Sequence, residues 1–259
     1  MAEPQKAEVE VRMAGAHVAE LVWNRPPNNY IDAALVREIA DTLERLDATP
    51  ACRVVVLSPE GKHFCAGSNL AARDRARDDG AVSDLYGEAK RLFRTAKPLV
   101  AAVNGGAIGG GLGLALAADF RIVADDARLS ANFSRLGYFP GFGMTATLPR
   151  LIGQQRAAQM FYSGRRVGAE EALALGLAER VALRAELRAA ALAFAEEIAG
   201  SAPLSVMAIR ARLRTGLAAA VDEAIALESA QQARLRKTRD FVEGVAAVAE
   251  RRAPAFSGN

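Results

Sequence analysis

Apolar residues fall in short blocks through the first half of the chain and at helical spacing through the last third. Residues 9–11 and 18–23 predict paired early strands, the second ended by the turn chemistry of Asn24-Arg25-Pro26-Pro27-Asn28-Asn29. Asp32 is placed to cap a helix whose apolar positions Leu35, Ile39, Leu43 and Leu46 recur every three to four residues. Residues 54–57 read as a buried strand, which Gly61 turns into a second extended piece through Phe64. Asp74 to Asp79 is charged and closed by Gly80, the pattern of a mobile loop. Leu85, Ala89, Leu92 and Phe93 then predict a helix ending near Thr95. A strand over 99–103, a glycine turn, a helix from about Leu112 and a strand over 120–123 follow.

After Leu136 the pattern becomes helical, with short helices over 145–151, 155–162 and 169–175 separated by Gly153, Gly164 and Gly176. From Arg184 onward helices dominate, including a long one over 217–239. The fold class is therefore α/β, with a mixed core over 1–183 and a helical region over 184–259. Residues 98–118 carry no charge and are long enough to span a bilayer, but their glycines and Asn104 fit a strand, a tight turn and a helix start instead.

Composition narrows the function classes. A chain of 259 residues that is 51% hydrophobic can bury roughly three quarters of its unfolded surface without a metal or disulfide staple. The net charge of +3 and the interleaving of both signs give no basic stripe for nucleic acid. Two histidines, His17 and His63, argue against a histidine metal centre, and the cysteines Cys52 and Cys65 fit a reducing, cytoplasmic compartment. The amino terminus, MAEPQKAEVEV, has no apolar core of signal-peptide length, and no membrane association is expected.

Two motifs carry chemistry. Gly109-Gly110-Gly111, between a buried strand and a helix, exposes backbone N–H groups at the positive end of the helix dipole. Such a run either binds an anion or oxyanion, or simply allows close helix–sheet packing. The second motif, Phe64-Cys65-Ala66-Gly67-Ser68-Asn69-Leu70, breaks a strand end at Ala66-Gly67 and frees the N–H groups of Gly67 and Ser68. Taken alone it is an ordinary strand-to-helix turn. A third match, Gly141 to Ala146 as G-x-G-x-x-A, follows Pro140 instead of a buried strand and lacks the acid about 20 residues on, so it is no dinucleotide site.

Together, FCAGSNL and the downstream KPLVAAVNGGAIGGGLGLALAADFRI resemble the crotonase superfamily, the enoyl-CoA hydratase/isomerase fold. NRPPNN, LGYFPGFG, AEEALALGLAERV and FVEGVAAVAERRAPAFSG are similar to further segments of that family, so the resemblance spans nearly the whole chain. It implies a spiral of ββα units with a helical C-terminal trimerisation region, and a homotrimer or homohexamer. It also implies an acyl-CoA substrate, with coenzyme A entering as part of that substrate and no separate cofactor or metal. The backbone N–H groups of Ser68 and Gly110 match the pair that holds the thioester oxygen. Ala66, Gly67, Asn69 and Leu70 match the segment that contacts the adenine. Arg25 lies where a basic residue meets CoA phosphates, and Phe256 matches an aromatic that touches CoA from a neighbouring subunit.

The departures from the family pattern fall on the acids. Hydratases of this family carry glutamates where this chain has Gly113 and Phe133, and relatives using aspartate place it where this chain has Gly141. Water addition to an enoyl thioester needs a base and an acid, so ordinary hydration is not expected. Decarboxylation, isomerisation, thioester hydrolysis or non-catalytic acyl-CoA binding are the alternatives. Tyr86, Tyr138 and Ser134 are pocket wall or substitute proton carriers. His63 and Cys65 share a strand face on which a Cys–His pair is conceivable. Asp74, Asp78 and Glu88 read as solvated surface, and Arg234, Arg236, Lys237 and Arg239 as a solvated helix end within reach of CoA phosphates.

Overall fold

The computed structural model describes residues 9–69 and 78–259. Along the chain, β1 (Val9–Ala14), β2 (Val18–Trp23), α1 (Ala33–Asp47), β3 (Val54–Leu57), α2 (Asp78–Leu92) and β4 (Leu99–Val103) come first. Then follow β5 (Gly106–Ile108), α3 (Gly110–Ala117), β6 (Phe120–Ala124), β7 (Arg128–Ser130) and a 3-10 turn (Asn132–Leu136). Next come α4 (Met144–Ile152), α5 (Gln154–Ser163), β8 (Val167–Gly168), α6 (Ala169–Leu175) and β9 (Arg180–Ala182). The chain ends with α7 (Leu187–Ala199), α8 (Pro203–Leu213), α9 (Leu217–Leu235) and α10 (Arg239–Ala249).

The larger sheet has the order β1-β2-β3-β4-β6-β9, antiparallel at β1–β2 and parallel beyond. The buried faces of β3 and β4 are continuous apolar runs, as a parallel sheet covered on both sides requires. A smaller sheet, β5-β7-β8, stands beside it, and Cys65 joins β5 through a parallel bridge to Ala107. The uncharged stretch over 98–118 is thus divided among β4, β5 and α3, and no single described helix is long and apolar enough to cross a membrane.

α1 begins where its cap predicts: the Asp32 carboxylate accepts from Leu35 N at 2.9 Å, and Leu35, Ile39, Leu43 and Leu46 form the buried face. Three boundaries differ from expectation. α2 already includes Asp78 and Gly80, so that part of the expected loop is helix; Asp74 lies outside the described residues. α3 starts at Gly110 rather than Leu112. The long C-terminal helix stops at Leu235, and α10 restarts at Arg239 with the Thr238 hydroxyl accepting from Phe241 N. α7, the first helix of the 184–259 region, packs on β2, β3, β4, β6 and β9 and so shares the core of residues 1–183.

Candidate active site

Two segments distant in sequence meet because the chain at Cys65 adds to the edge of β5. Cys65 N donates to Gly106 O and Ile108 N to Cys65 O, both at 3.0 Å. This register places the 66–68 turn alongside the Gly109–Gly111 run. Glycine is required at the contact. A β-carbon on Gly111 would lie 2.1 Å from Cys65 O, and one on Gly67, which has φ +83°, would lie 2.9 Å from Ile108 O. Gly110 is the first residue of α3, a position whose N–H has no partner within the helix. Ser68 and Gly110 both line one cavity of about 280 Å³, together with Ala66, Gly67 and Asn69. Of the predicted adenine segment, Leu70 lies outside the described residues.

The far wall of the cavity comes from α2, the 3-10 turn, the 138–142 loop, α9 and α10, through Leu85, Tyr86, Phe133, Tyr138, Phe142, Gln232 and Val248. Among the described residues no carboxylate, histidine, cysteine, lysine or arginine lines it. The three positions that the resemblance assigns to acids are closely packed. A β-carbon on Gly113 would lie 2.6 Å from Phe142 Cβ and 2.7 Å from its Cγ. Phe133 is itself an apolar wall residue, 7% exposed. A β-carbon on Gly141 would lie 1.9 Å from the Tyr86 hydroxyl.

The polar groups of that wall form one network. Tyr86 OH donates to Gln232 Oε1 at 2.9 Å and Tyr138 OH donates to the same oxygen at 3.1 Å. Gln232 Nε2 donates to Phe139 O at 2.9 Å and Pro140 O at 3.2 Å. Arg236 Nη2 donates to the Tyr138 hydroxyl at 2.6 Å, and its guanidinium lies 5.7 Å from that ring's centroid. One turn earlier on α9, the buried Glu228 carboxylate accepts from Gly143 N, Thr145 N and Thr145 Oγ1 at 2.7–2.8 Å and so caps α4. Burial pushes the Glu228 carboxyl up despite those bonds.

Tyr86 and Tyr138 are therefore brought together, and both face the cavity. Arg236 is not the solvated helix end expected: it is half-buried against Tyr138 because α9 lies along the cavity wall. No Cys–His pair forms. His63 Nδ1 accepts from Gly106 N at 3.0 Å, and burial, with Lys62 and Arg184 nearby, holds the ring below its ordinary value. Cys65 is fully buried beneath α3, and burial pushes its thiol up to about 12. Neither residue lines the cavity.

Glu88 is part of an ion-pair cluster with Arg37 and Arg91; burial raises its carboxyl, and the two arginines outweigh that. Arg25 sits on the 25–32 turn, where its guanidinium binds Asp32 Oδ2 at 2.7 Å and Tyr30 O at 3.1 Å. It does not line the cavity, although Tyr30 does. The Ser134 hydroxyl is buried outside the cavity, and Phe256 is 43% exposed and does not line it in this chain.

Gln232, Glu228, Asn132 and the α10 residues Val245, Val248 and Ala249 were not singled out by their sequence. The signal that could have found Gln232 on the wall, with Glu228 and Arg236 behind it, is the recurrence of the three on one face of a helix.

A family model described as Enoyl-CoA hydratase/isomerase matches residues 13–259. The chain is 35% identical over 248 residues to carnitinyl-CoA dehydratase of Proteus mirabilis, covering 93% of this chain and 95% of that one. An enoyl-CoA hydratase/isomerase structure from Pseudoalteromonas atlantica superposes with a TM-score of 0.85 at 31% identity, over 96% of this chain and 100% of that one. An enoyl-CoA hydratase structure from Bacillus anthracis superposes with a TM-score of 0.77 at 34% identity, over 97% of this chain and 100% of that one.

Proposed function

The chain belongs to the enoyl-CoA hydratase/isomerase family, and on that premise we propose that it acts on an acyl-CoA thioester through an enolate. The thioester oxygen is held between the backbone N–H groups of Ser68 and Gly110. Two preorganised donors, one of them at a helix N-terminus, stabilise the charge that develops on that oxygen when the α-carbon loses a substituent. The observation that carries this reading is that Ser68 and Gly110, 42 residues apart in sequence, line one cavity.

Proton traffic falls to Tyr86 and Tyr138. Among the described residues that line the cavity there is no carboxylate to activate water in the manner of a paired-acid hydratase. Ala66, Gly67 and Asn69 carry the CoA moiety at the lip. Arg25, one turn away beside Tyr30, supplies positive charge for its phosphates. Coenzyme A enters as part of the substrate.

The same wall favours one second reading. Decarboxylation of a carboxylated acyl-CoA needs no base, because loss of carbon dioxide itself leaves the enolate, and an acid-free wall does not repel the substrate's carboxylate. The buried free cysteines Cys52 and Cys65 support a cytoplasmic location.

Native protein mixed with butyryl-CoA in deuterium oxide tests the proposal. Incorporation of deuterium at the α-carbon, read by mass spectrometry, is expected. Tight binding without incorporation or turnover of any acyl-CoA would identify a non-catalytic binder.

A further inference from the structure

Glu228, Gln232 and Arg236 recur every fourth residue along α9 and all face the 138–145 segment of the cavity wall. Gln232 is 1% exposed, and both of its side-chain heteroatoms carry two hydrogen bonds. The two carbonyls at Phe139 and Pro140 can only accept, so they fix which end of the amide is nitrogen. Both phenol hydrogens consequently point at Gln232 Oε1. The Tyr138 oxygen also receives the Arg236 guanidinium. A charge-assisted donor of this kind stabilises the negative charge a phenol oxygen gains on losing its proton.

We propose that Gln232 and Arg236 are positioning residues, and that Tyr138, held between them, is the group that exchanges the α-proton of the bound thioester. The proposal rests on the enolate chemistry above. Tyr138 as phenolate forms its O–H bond with the α-hydrogen. The electron pair of the broken C–H bond moves into the bond to the carbonyl carbon. The carbonyl pair moves onto oxygen, between Ser68 and Gly110 N–H. The reverse step returns a proton from Tyr138 to the α-carbon, and the same delivery completes a decarboxylation.

Among the described residues, charged and titratable groups on the elements around Tyr138 include Tyr86 on α2, Arg135 on the 3-10 turn, Glu228 on α9, Arg236 at its C-terminal end, and Asp240 on α10. Glu228 is bound to the start of α4, Arg135 to Ser163 O, and Asp240 to Ser257 and Gly258. Among the described residues Arg236 is the charge bonded to the Tyr138 oxygen.

The test joins two readouts on the full chain. With 13Cζ-labelled tyrosine the protein's four tyrosines are followed by NMR against pH, Tyr138 being assigned from Tyr138→Phe. Arg236→Met is expected to move the Tyr138 midpoint upward by about one pH unit or more, with Arg236→Lys in between. In the butyryl-CoA exchange assay, the pH midpoint of the rate should move with it. Tyr138→Phe should lower exchange by ~10²-fold or more. Gln232→Leu should lower kcat for exchange about tenfold with little change in KM, as loss of orientation does.

A Tyr138 midpoint unmoved by Arg236→Met, or exchange undiminished in Tyr138→Phe, overturns the proposal. The two failures separate cleanly. Exchange without a shifted Tyr138 signal retires the role of Arg236 and leaves the enolate chemistry standing. A shifted signal in a native protein that exchanges nothing retires the enolate chemistry itself, and with it the role of Tyr138.

Discussion

The Tyr86 hydroxyl occupies the space in which a side chain at Gly141 would begin, 1.9 Å from where that β-carbon would lie. One hydroxyl thus stands at the position that the resemblance assigns to an aspartate, and Gln232 Nε2 lies 2.7 Å from the same point. Gly141→Ala should therefore destabilise the protein by about 1–3 kcal/mol through overpacking. In a Tyr86→Ala background the cost should fall, because the nearest atom is gone. Urea unfolding of the two single variants and the double variant measures this coupling. Strictly additive costs would contradict the packing described.

Phe142 plays the matching part at Gly113. Its side chain is fully buried and its backbone has φ +67°. Restoring a hydratase-like acid by Gly113→Glu is thus expected to disrupt folding rather than confer hydration. The milder Gly113→Ala should already cost about 1–3 kcal/mol. In a Phe142→Gly background, itself costly because a buried ring is lost, the added cost of Gly113→Ala should shrink, since the clashing ring is gone. Thermal unfolding of the single and double variants decides it; a Gly113→Ala protein as stable as the native one would count against the account.

Both glycine motifs and most of the larger sheet were legible in the sequence, because each is a local signal. Asp32 three residues before Leu35 marks a cap, and the apolar blocks of β3 and β4 mark buried parallel strands. The smaller sheet was not legible. β5, β7 and β8 are two or three residues long, and β5 lies inside what reads as a glycine turn. That Gly113, Phe133 and Gly141 bring no acid to the described wall could be read from the sequence, but the packing that fills those positions could not. Polar residues on a helix ordinarily face solvent, and only tertiary packing turns Gln232 and Arg236 toward Tyr138, more than 90 residues away.

The Cys65 thiol gives a pH signature. Its value rises from the ordinary 9.0 to about 12 on folding. The unfolded chain then loses this proton at lower pH than the folded chain, so the contribution to stability falls as pH rises between those values. Unfolding free energy measured from pH 8 to 11 should drop more steeply for the native protein than for Cys65→Ala. Equal slopes would contradict the burial.

Assembly is tested by light scattering. Leu204, Ile209 and Leu213 on α8 are 80%, 57% and 69% exposed in a single chain, a large apolar surface for one helix. A trimer or hexamer is expected at micromolar concentration, with Phe256 near a neighbour's cavity. A monomer would contradict that expectation.

The most direct test of the central claim, an enolate site whose described residues include no carboxylate, is the rate at which native protein hydrates crotonyl-CoA. Ordinary turnover reaches ~10³ s⁻¹, and each positioned acid or base contributes ~10²-fold or more. With both absent, hydration below ~0.1 s⁻¹ is predicted. Hydration near ~10³ s⁻¹, unchanged in Tyr86→Phe and Tyr138→Phe, would contradict the account and require an acid–base pair elsewhere.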